Sequence, residues 1–395
     1  MAPVLLDERP VALTFRSRLF NASEGFVQAQ AAGLTRYQPL VAGLKLIGNV
    51  DRALSGRLVL PSSRTERLRF QLLGDVAAMA ARLAHFRPRV LHAHFGTDGL
   101  LALPLARALG VPLVTTLRGY DVNLSRGTLL RSGRPTWMTY ALRRRRLMES
   151  GEIFLAVSDF LRARAIAAGY PEHSIFTHYN GVDLEVFRAG PGEREDGLVL
   201  HVANLVTKKG TAQLIRAFAE VRREVPDARL AILGEGPLEP ALRRQAAEAA
   251  PRSAIHFAGH RSREEVAAWM RRACVLAVPS VTGSSGDAEG LPNVVVEAAA
   301  AGLPVVATRH AGIPEAVAAD ETGILVPEKD HGALVAALTT LLQAPELRNR
   351  MGDAARRRAV LRFDAARQMA RLECCYDNLG LRRARPGKMT CADVA

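Results

Sequence analysis

The chain has 395 residues, 48% hydrophobic and 23% charged, and this composition excludes a disordered chain, a collagen and a coiled coil. Its 53 basic and 39 acidic residues leave a net charge of +14. Four cysteines, two adjacent and two isolated, exclude a disulfide scaffold and predict no zinc site. No apolar run reaches the roughly 18 residues of a membrane span, and the acidic, proline-bearing start lacks the pattern of a signal peptide, so we expect a cytoplasmic protein of two or three domains.

In the front half, short apolar runs alternate with amphipathic segments, which predicts βαβ units around a parallel sheet. In chain order, the predicted elements are a strand at Ala12–Phe15, a helix carrying Leu68, Leu72, Val76, Met79 and Leu83, a strand at Val90–His94, a helix from Leu100 to Ala108, a strand at Leu113–Thr116 and a helix capped by Ser158. Apart from that first strand, the first 60 residues show little pattern.

The rear half alternates more regularly and predicts a doubly wound α/β domain, whose ligand should lie at the carboxyl ends of the strands. Its predicted strands are Leu198–Val202, Arg229–Leu233, Ile255–Phe257, Val275–Pro279 and Pro304–Thr308. Its predicted helices are 211–223, 238–249, 263–271, 292–301 and 331–343, and Ser262 with Glu265 forms a capping box at the third.

The predicted domains follow from a polar linker at Pro191–Gly197. Residues 1–190 form a basic front domain and residues 191–365 form the rear domain. The sequence also predicts a final helix over residues 366–380 and a flexible tail over residues 381–395.

The clearest candidate site is the segment Asp287–Glu297, which follows a strand and a loop. Pro292 suits the first position of a helix, because its missing N–H would be unpaired there. The loop made by Gly290, Leu291, Pro292 and Asn293 therefore predicts an anion site at a helix N-terminus.

Two acids, Glu289 and Glu297, flank this loop. Carboxylates would repel an anion, but they can accept hydrogen bonds from the hydroxyls of a sugar and of a ribose that a phosphate links to each other. In the alternative interpretation, Glu289 stabilises the helix dipole and Glu297 lies on a solvated face. Since Glu297 stands among valines and alanines, we expect it to be buried and to need a partner.

Three further strand ends suit a nucleotide. Lys209, beside Gly210 at the start of the first rear helix, can reach a diphosphate as a point charge. Gly234, and His260 with Arg261, follow the next two strands, where glycine allows a flat base to approach the backbone. Neither segment has the full dinucleotide fingerprint, which disfavours a Rossmann oxidoreductase.

In this order, the segments resemble the retaining glycosyltransferases of the GT-B fold, specifically family 4 and its exopolysaccharide and colanic-acid type members. The resemblance extends from about residue 92 to residue 342. Its motifs are the E-x7-E pair Glu289 and Glu297, then Lys209-Gly210, Asn180-Gly181-Val182-Asp183 with Phe187, His92-Ala93-His94-Phe95-Gly96, and Arg118-Gly119-Tyr120-Asp121.

The resemblance implies two Rossmann-like domains that face each other across a cleft, with the final helix crossing back to the front domain. The rear domain would bind a UDP- or GDP-sugar as co-substrate, and the front domain a glycan or a polyprenyl-diphosphate-linked acceptor. Transfer would retain the anomeric configuration, with the leaving phosphate taking the acceptor proton. The resemblance implies no cofactor and no metal, and the sequence has no Asp-x-Asp motif.

By the same resemblance, Glu289 hydrogen-bonds the donor sugar and Glu297 holds the ribose. The amides of residues 290–293 bind the diphosphate. Lys209 stabilises the negative charge of the leaving diphosphate, which is electrostatic catalysis.

On the front side, His94 orients an acceptor hydroxyl or only satisfies a buried backbone carbonyl. His92, two residues earlier on the same face of the strand, competes for that role. Asp121 is expected on the acceptor side.

The sequence departs from the family pattern at two positions. Asn204 stands where the family has an arginine that shares the diphosphate, so either Lys208 compensates or donor affinity is weaker. Arg118 stands where the family has a histidine near the donor sugar. It either pairs with a carboxylate or phosphate of the donor or acceptor, such as a uronic acid, or binds the diphosphate and replaces the missing charge.

The positive charge is uneven: residues 1–190 hold 25 basic and 14 acidic residues, a net +11, and residues 191–395 hold 28 and 25, a net +3. With the run Arg143–Arg146, this charge suits an anionic membrane surface and a peripheral location at the inner face of the cytoplasmic membrane. In the alternative interpretation, the excess of arginine over lysine reflects only a GC-rich genome, and Arg143–Arg146 lie on a solvated helix face. Nucleic acid is not an expected partner, since aromatic residues make up only 5%.

The expected function is therefore sugar transfer in polysaccharide or glycolipid biosynthesis, by an enzyme of the retaining hexosyltransferase type. One alternative is another GT-B enzyme, a sugar-nucleotide epimerase or a phosphorylase, although we can place neither opposed acid/base residues nor a cofactor lysine. The other is a homologue that binds nucleotide sugar without turnover, which Asn204 and Arg118 leave open.

Overall fold

The computed structural model describes residues 8–21, 24–150, 153–190, 194–251, 253–283 and 285–384, in two compact units. The front unit comprises residues 1–179 and 366–395, and the rear unit comprises residues 180–365. The rear unit begins ahead of the boundary predicted at residue 190, because the N–H of Val182 donates to the carbonyl of Phe363 at 2.7 Å.

The described part of the front unit contains a sheet of seven parallel strands in the order β3-β2-β1-β4-β5-β6-β7. The strands are β1 (Val11–Leu19), β2 (Gln38–Leu46), β3 (Leu58–Val59), β4 (Pro88–His94), β5 (Leu113–Leu117), β6 (Ile153–Ala156) and β7 (Ile175–Thr177). The helices are α1 (Gly25–Ala32), α2 (Arg64–Leu73), α3 (Ala77–Ala84), α4 (Gly96–Leu109), α5 (Tyr120–Asn123), α6 (Arg126–Leu130), α7 (Pro135–Met148) and α8 (Asp159–Ala167).

Both faces of this sheet are buried. Leu13 and Leu91 belong to one apolar cluster, and their neighbours Ala12 and Val90 belong to another. Successive strand residues point to opposite faces, so two separate clusters mean that apolar elements cover both sides, as parallel sheets require.

The front unit differs most from the sequence-based expectation before residue 90. Neither α1 nor β2 was predicted, and β1 is longer than Ala12–Phe15. The single helix expected through residues 68–83 is wrong, because Gly74 adopts φ +70° and ends α2 before α3 begins. Leu72 is 73% exposed, so the apolar spacing does not mark one buried helix face. The Ser158 cap is confirmed, since its side chain accepts the N–H of Leu161.

The described part of the rear unit contains six parallel strands in the order β10-β9-β8-β11-β12-β13. The strands are β8 (Leu198–Val202), β9 (Arg229–Leu233), β10 (Ile255–Gly259), β11 (Val275–Val278), β12 (Val305–Thr308) and β13 (Gly323–Val326). The helices are α9 (Thr211–Glu224), α10 (Glu239–Ala249), α11 (Arg263–Arg272), α12 (Asn293–Ala300), α13 (Ile313–Ala316), α14 (His331–Gln343) and α15 (Pro345–Arg362). The five predicted strands and five predicted helices are confirmed to within two residues, as is the capping box at α11.

The predicted linker is not a free segment over its second half. Arg194 donates to the carbonyl of Ala273 at 2.7 Å, and Asp196 pairs with Arg348 at 2.9 Å. These contacts attach residues 194–197 to the rear unit. Residues 191–193 lie outside the described part of the chain.

The last helix, α16 (Ala365–Ala384), packs on the front sheet. Leu372 and Tyr376 belong to the apolar cluster that contains Val90 of β4. The helix continues into the predicted tail, since residues 381–384 are helical, and residues 385–395 lie outside the described part.

A buried acid holds this helix against the front unit. The carboxylate of Glu373 accepts the backbone N–H groups of Thr35 and Arg36, both at 2.7 Å. A carboxylate is costly to bury alone, so these two donors explain how Glu373 can be 0% exposed.

The candidate residues lie in loops at the carboxyl ends of parallel strands. In the front unit, β4 ends at His94 and β5 ends just before Arg118. In the rear unit, β8 leads into residues 203–210 and β11 leads into residues 279–292. Because the strands of each sheet are parallel, these loops meet at one edge in each unit, where doubly wound domains bind their ligands.

Candidate functional site

Two loops of the rear unit bring a lysine and a glutamate into contact. Lys209 comes from the loop between β8 and α9, and Glu289 from the loop between β11 and α12. Lys209 Nζ lies 2.9 Å from Glu289 Oε1, and the two side chains are only 19% and 10% exposed. Burial raises the pKa of Glu289, but the ammonium groups of Lys209 and Lys208 outweigh burial, and the pKa is lowered below its usual value.

The neighbouring lysine is also paired. Lys208 Nζ lies 3.0 Å from Asp287 Oδ2, so the two lysines of one loop face two acids of the other. Asn204, at the position where an arginine was expected, is exposed. Lys208 can therefore compensate for Asn204 only if its pair with Asp287 opens.

Close backbone packing fixes the loop that carries the lysines. Gly210 has φ +69°, and a Cβ there would lie 1.8 Å from the carbonyl oxygen of Pro279. Beneath it, buried His201 bridges the ends of two elements: Nδ1 lies 2.8 Å from the carbonyl of Ala277, and Nε2 lies 2.9 Å from Thr211 Oγ1. Only glycine fits at position 210, because the two loops touch there.

Glu297 lies on α12 and is partly buried. Burial raises its pKa to about 7, and the nearby Arg263 opposes this only in part. Within the described part of the chain, no residue donates a hydrogen bond to its carboxylate. The described residues therefore give this acid a nearby charge but no hydrogen-bond donor, and a ligand hydroxyl could supply that donor.

The start of α12 differs by one residue from the prediction. Pro292 has φ −64° and ψ 121° and precedes the helix, which begins at Asn293. Asn293 Oδ1 accepts a hydrogen bond from Asn180 Nδ2 at 2.8 Å, so the Asn-Gly-Val-Asp motif anchors the helix start. Leu291 is buried, and the carbonyl of Gly290 accepts a backbone N–H from the β12–α13 loop at 3.0 Å.

The segments expected near a nucleotide base also lie at this edge, but Gly234 has a different role. It has φ +122°, and a Cβ there would lie 2.0 Å from the carbonyl oxygen of Ala203. Contact between two loops thus explains why this position is a glycine, and a role for Gly234 beside a base stays a prediction. His260 is exposed; its backbone N–H donates to Glu235 Oε1 at 3.2 Å, and its carbonyl accepts from Arg261 at 3.1 Å.

In the front unit, Asp121 organises two loops rather than facing an acceptor. Its carboxylate accepts the backbone N–H groups of Gly96 at 2.9 Å, Gly119 at 2.8 Å and Arg118 at 3.2 Å. The side chain is fully buried, and burial raises its pKa despite these donors. The acceptor-side prediction for Asp121 is corrected, because its oxygens are occupied by the β4–α4 and β5–α5 loops.

Arg118 and His94 form a pair. Arg118 Nη2 lies 3.1 Å from His94 Nδ1, and the guanidinium lies 3.9 Å from the centre of the Phe26 ring. Since a guanidinium only donates, Nδ1 of His94 accepts, and the ring hydrogen is on Nε2. Burial lowers the pKa of Arg118 to about 9 and that of His94 well below its ordinary value. At neutral pH, Arg118 is therefore charged and His94 is neutral.

His92 is a core residue. Its Nδ1 lies 2.6 Å from Tyr376 Oη and its Nε2 lies 2.7 Å from Thr116 Oγ1, and it is 1% exposed. The prediction that it shares a face with His94 is confirmed, since the two rings stack with centroids 4.6 Å apart. No ring nitrogen remains for an acceptor, so its predicted acceptor-side role is replaced by a structural one.

The sequence analysis missed a charge cluster centred on Arg16 of β1. Arg16 hydrogen-bonds to Asp98 of α4, and its Nη2 lies 2.7 Å from Glu24 Oε1. Its guanidinium also lies 4.4 Å from the centre of the Phe95 ring, and its charge contributes to the lowered pKa of His94. A basic residue within an apolar strand and an acid at the start of an apolar helix were the available signals.

Three further properties bear on the kind of site. Among the described residues, no group of three or more His, Cys, Asp or Glu side chains is arranged to hold a metal ion. No helix in the same ranges combines the length and the apolar character that a membrane span requires. Cys274, Cys374 and Cys375 are free thiols.

The chain matches two families over consecutive regions: Glycosyltransferase Family 4 over residues 43–186, and Glycosyl transferases group 1 over residues 184–358. It is similar to the putative colanic acid biosynthesis glycosyltransferase WcaL of Escherichia coli, with 35% identity over 65% of this chain and 62% of that protein. The match thus spans less than two thirds of WcaL. The chain is also 34% identical to a GDP-mannose-dependent α-(1-6)-phosphatidylinositol monomannoside mannosyltransferase of Mycolicibacterium smegmatis, over 70% of this chain and 74% of that protein.

Solved structures share this fold. A sucrose-phosphate synthase from Thermosynechococcus elongatus superposes with a TM-score of 0.75 at 19% identity, covering 94% of this chain and 99% of that one. The Anabaena protein HepE, solved in complex with UDP, superposes with a TM-score of 0.74 at 19% identity, covering 93% and 100%. The two parallel-sheet α/β units are therefore those of the GT-B fold, as expected from the sequence.

The raised pKa of Glu297 predicts that its ionised form destabilises the folded chain. At pH 8 the carboxylate is charged in both the folded and the unfolded chain, and only the folded chain bears the cost of burial. Glu297→Gln should therefore raise the free energy of unfolding at pH 8 by on the order of 1–3 kcal/mol. The gain should shrink toward pH 5, where folded Glu297 is protonated.

Chemical denaturation at pH 5, 6, 7 and 8 measures this difference. The matched control is Glu264→Gln, at an exposed position on α11, which should change little at any pH. A Glu297→Gln variant no more stable than the wild type at pH 8 would contradict a carboxylate whose ionised form is destabilised by burial.

Proposed function

This chain belongs to the group 1 glycosyltransferases, and we propose that it transfers a sugar from a nucleoside-diphosphate sugar to a glycan or lipid-linked acceptor in polysaccharide or glycolipid biosynthesis. The observation that carries the proposal is the 2.9 Å contact between Lys209 and Glu289. This contact places a cation suited to a diphosphate beside an acid suited to sugar hydroxyls. Glu297, on the helix that follows, supplies a second acid.

The ion pair suggests how the donor would be held. A diphosphate would compete with Glu289 for Lys209, and the released carboxylate would accept hydroxyl groups of the donor sugar. The first backbone N–H groups of α12 add partial positive charge beside the diphosphate. Glu297 would accept a ribose hydroxyl, which is the donor that its carboxylate lacks among the described residues.

The proposed reaction proceeds on one face of the sugar. The bond between the anomeric carbon and the phosphate oxygen breaks, and the acceptor oxygen forms its bond to that carbon on the same face. The acceptor proton passes to the leaving phosphate oxygen, so the anomeric configuration is retained. Lys209 and the α12 backbone stabilise the charge that develops on the diphosphate, and transfer should need no divalent cation because these groups supply the positive charge.

The proposed co-substrate is a UDP- or GDP-sugar. The similar protein HepE was solved with UDP-glucose, which supports UDP, and the similar Mycolicibacterium smegmatis enzyme is GDP-mannose-dependent, which supports GDP. Either base would lie against the segment of His260 and Arg261, where His260 is exposed and Arg261 is partly exposed.

We predict that one nucleoside diphosphate stabilises the protein through Glu297 and Lys209. In a thermal-shift panel of UDP, GDP, ADP and NAD, a ligand at 100 times its Kd should add about 2.7 kcal/mol of stability. Glu297→Ala should abolish the shift, whereas Glu264→Ala should keep it. With the matching nucleotide sugar, Lys209→Ala should lower kcat on the order of 10²–10³-fold.

A shift with NAD alone would contradict the donor site, and so would the absence of a shift with every nucleoside diphosphate. A diphosphate shift without sugar release at high enzyme concentration would instead favour the alternative of a homologue that binds without turnover. Lys208→Ala separates the two lysines, because a loss equal to that of Lys209→Ala would mean that Lys208 compensates for Asn204.

A second prediction concerns Arg118. Its buried guanidinium, held by His94 and Phe26, suits an anionic group on the donor or acceptor. If that group is a uronic carboxylate of the donor, Arg118→His should lower kcat/KM for a glucuronate donor far more than for the matching glucose donor. An unchanged preference between the two donors would contradict the carboxylate role and favour contact with the diphosphate. Arg16→Lys tests whether the neighbouring cation determines the donor preference instead.

We also propose that α7 contacts an anionic membrane surface, where a polyprenyl-diphosphate-linked acceptor would lie. Met138 and Leu142 on α7 are 38% and 61% exposed, and they lie beside the exposed Arg143, Arg145 and Arg146. Apolar side chains flanked by arginines suit an interface with anionic lipid, where each arginine contributes about 1 kcal/mol.

Co-sedimentation with vesicles tests this contact. The protein should bind phosphatidylglycerol-containing vesicles and not pure phosphatidylcholine, and replacing the three α7 arginines with glutamine should weaken binding. The control removes the same charge from exposed positions of the rear unit, namely Arg244, Arg350 and Arg357. Equal losses in both variants would show that binding follows net charge rather than α7.

A further inference from the structure

A buried histidine holds the main chain of the Glu289 segment from the side of the sheet. His310 follows β12 and is 1% exposed. Its Nε2 lies 3.1 Å from the backbone nitrogen of Glu289, and its Nδ1 lies 2.6 Å from Oε1 of Glu328. Neither His310 nor Glu328 belongs to any motif that the sequence analysis singled out.

The partners of His310 assign its hydrogen. The backbone N–H of Glu289 can only donate, so Nε2 of His310 must present its lone pair. The ring hydrogen of the neutral imidazole is then on Nδ1, where it donates to the carboxylate of Glu328. His310 is therefore fixed in one tautomer, with an acceptor aimed at a single peptide group.

Glu328 is itself held by the far end of the same loop. The backbone N–H of Thr282 donates to Glu328 Oε2 at 2.8 Å, and Thr282 Oγ1 donates to Oε1 at 3.2 Å. Burial raises the pKa of Glu328, but the bonds from Thr282 and His310 outweigh burial and lower that pKa, so the acceptor stays ionised. The chain of contacts thus joins Thr282, at the start of the loop after β11, to Glu289, near its end.

We propose that His310, oriented by Glu328, is a positioning residue for the donor sugar: it fixes the Glu289 peptide so that the carboxylate of Glu289 meets the sugar hydroxyls. This inference rests on the proposed function. The physical reason is that a buried N–H left without an acceptor has lost its bond to water and gained none in return. Without His310, the Glu289 peptide would rotate to find another acceptor, and the carboxylate would turn with it.

The positioning role differs from simple core packing. His201 in the same unit also bonds through both nitrogens, but its partners are a core carbonyl and a threonine hydroxyl. His310 instead bonds the main chain of the residue that pairs with Lys209. A displacement of about 1 Å at a reacting group can cost on the order of 10²-fold in rate, so a loss at His310 should affect turnover more than the binding of the nucleotide.

Two substitutions separate the two nitrogens of His310. A glutamine can place an acceptor near the position of Nε2, whereas an asparagine is too short to reach Glu289 and keeps only a donor near Nδ1. We expect His310→Asn to lower kcat for the nucleotide sugar about 10²-fold, with affinity for the nucleoside diphosphate close to that of the wild type. His310→Gln should recover most of the lost kcat.

The matched control is His331→Asn. His331 Nε2 lies 2.8 Å from Glu220 Oε1, so it is also paired with a glutamate, but on the outer helices of the same unit at 40% exposure. This variant should leave kcat and KM unchanged. Equal loss of kcat in the His310→Asn and His310→Gln variants, or a loss that follows only their lowered melting temperatures, would overturn the positioning role.

A second measurement keeps the inference independent of folding and of sugar transfer. Nitrogen-15 NMR of the labelled wild type should show His310 with hydrogen on Nδ1 and a bare Nε2, and Glu328→Ala should disturb that state and the amide signal of Glu289. Hydrogen on Nε2 in the wild type would overturn the inference. Failure of the protein to bind any nucleoside diphosphate would instead overturn the proposed function, and the NMR spectrum would still show which nitrogen of His310 carries the hydrogen.

Discussion

The contact between Lys209 and Glu289 is the interaction on which the rear site depends. Either charge would be costly in a region so closed to water, and each is tolerated because the other lies 2.9 Å away. The lysine and the acid come from loops after different strands, so only the folded sheet brings them together. A ligand that removes Lys209 from this pair must also supply a donor for Glu289. A sugar nucleotide meets both needs, because it carries an anion and hydroxyl groups in one molecule.

Both units hold their strand-end loops by the same physical means. Parallel strands leave backbone N–H groups at the loops that follow them, and a buried side chain accepts these donors. In the front unit the acceptor is Asp121, which takes the N–H groups of Gly96 and Gly119. In the rear unit it is His310, which takes the N–H of Glu289. The buried side chains under each loop therefore accept hydrogen bonds from its main chain, and the side chains of the loop itself remain available to bind a ligand.

The two histidines of β4 show how far a motif can be interpreted without its surroundings. Their spacing places them on one face of the strand, and their rings do stack. Yet both ring nitrogens of His92 are hydrogen-bonded, to Thr116 and Tyr376, and Tyr376 lies on a helix 284 residues further along the chain. His94 has Arg118 instead, which leaves a neutral ring with its hydrogen on Nε2. No local pattern distinguishes these outcomes, because the distinction depends on what another segment brings to each ring.

The sequence by itself determined the alternating strands and helices of the rear unit, its capping box, and the pattern of Lys209, Glu289 and Glu297, because periodicity, caps and motif spacing are properties of neighbouring residues. It did not determine that the supposed linker is bound through Arg194, or that Gly234 makes a contact between two loops. Nor did it indicate that His310 lies behind Glu289. Only the tertiary structure decided these points, since burial and hydrogen-bond partnership are set by segments distant in sequence, and the free energy of a polar group depends on which of them reaches it.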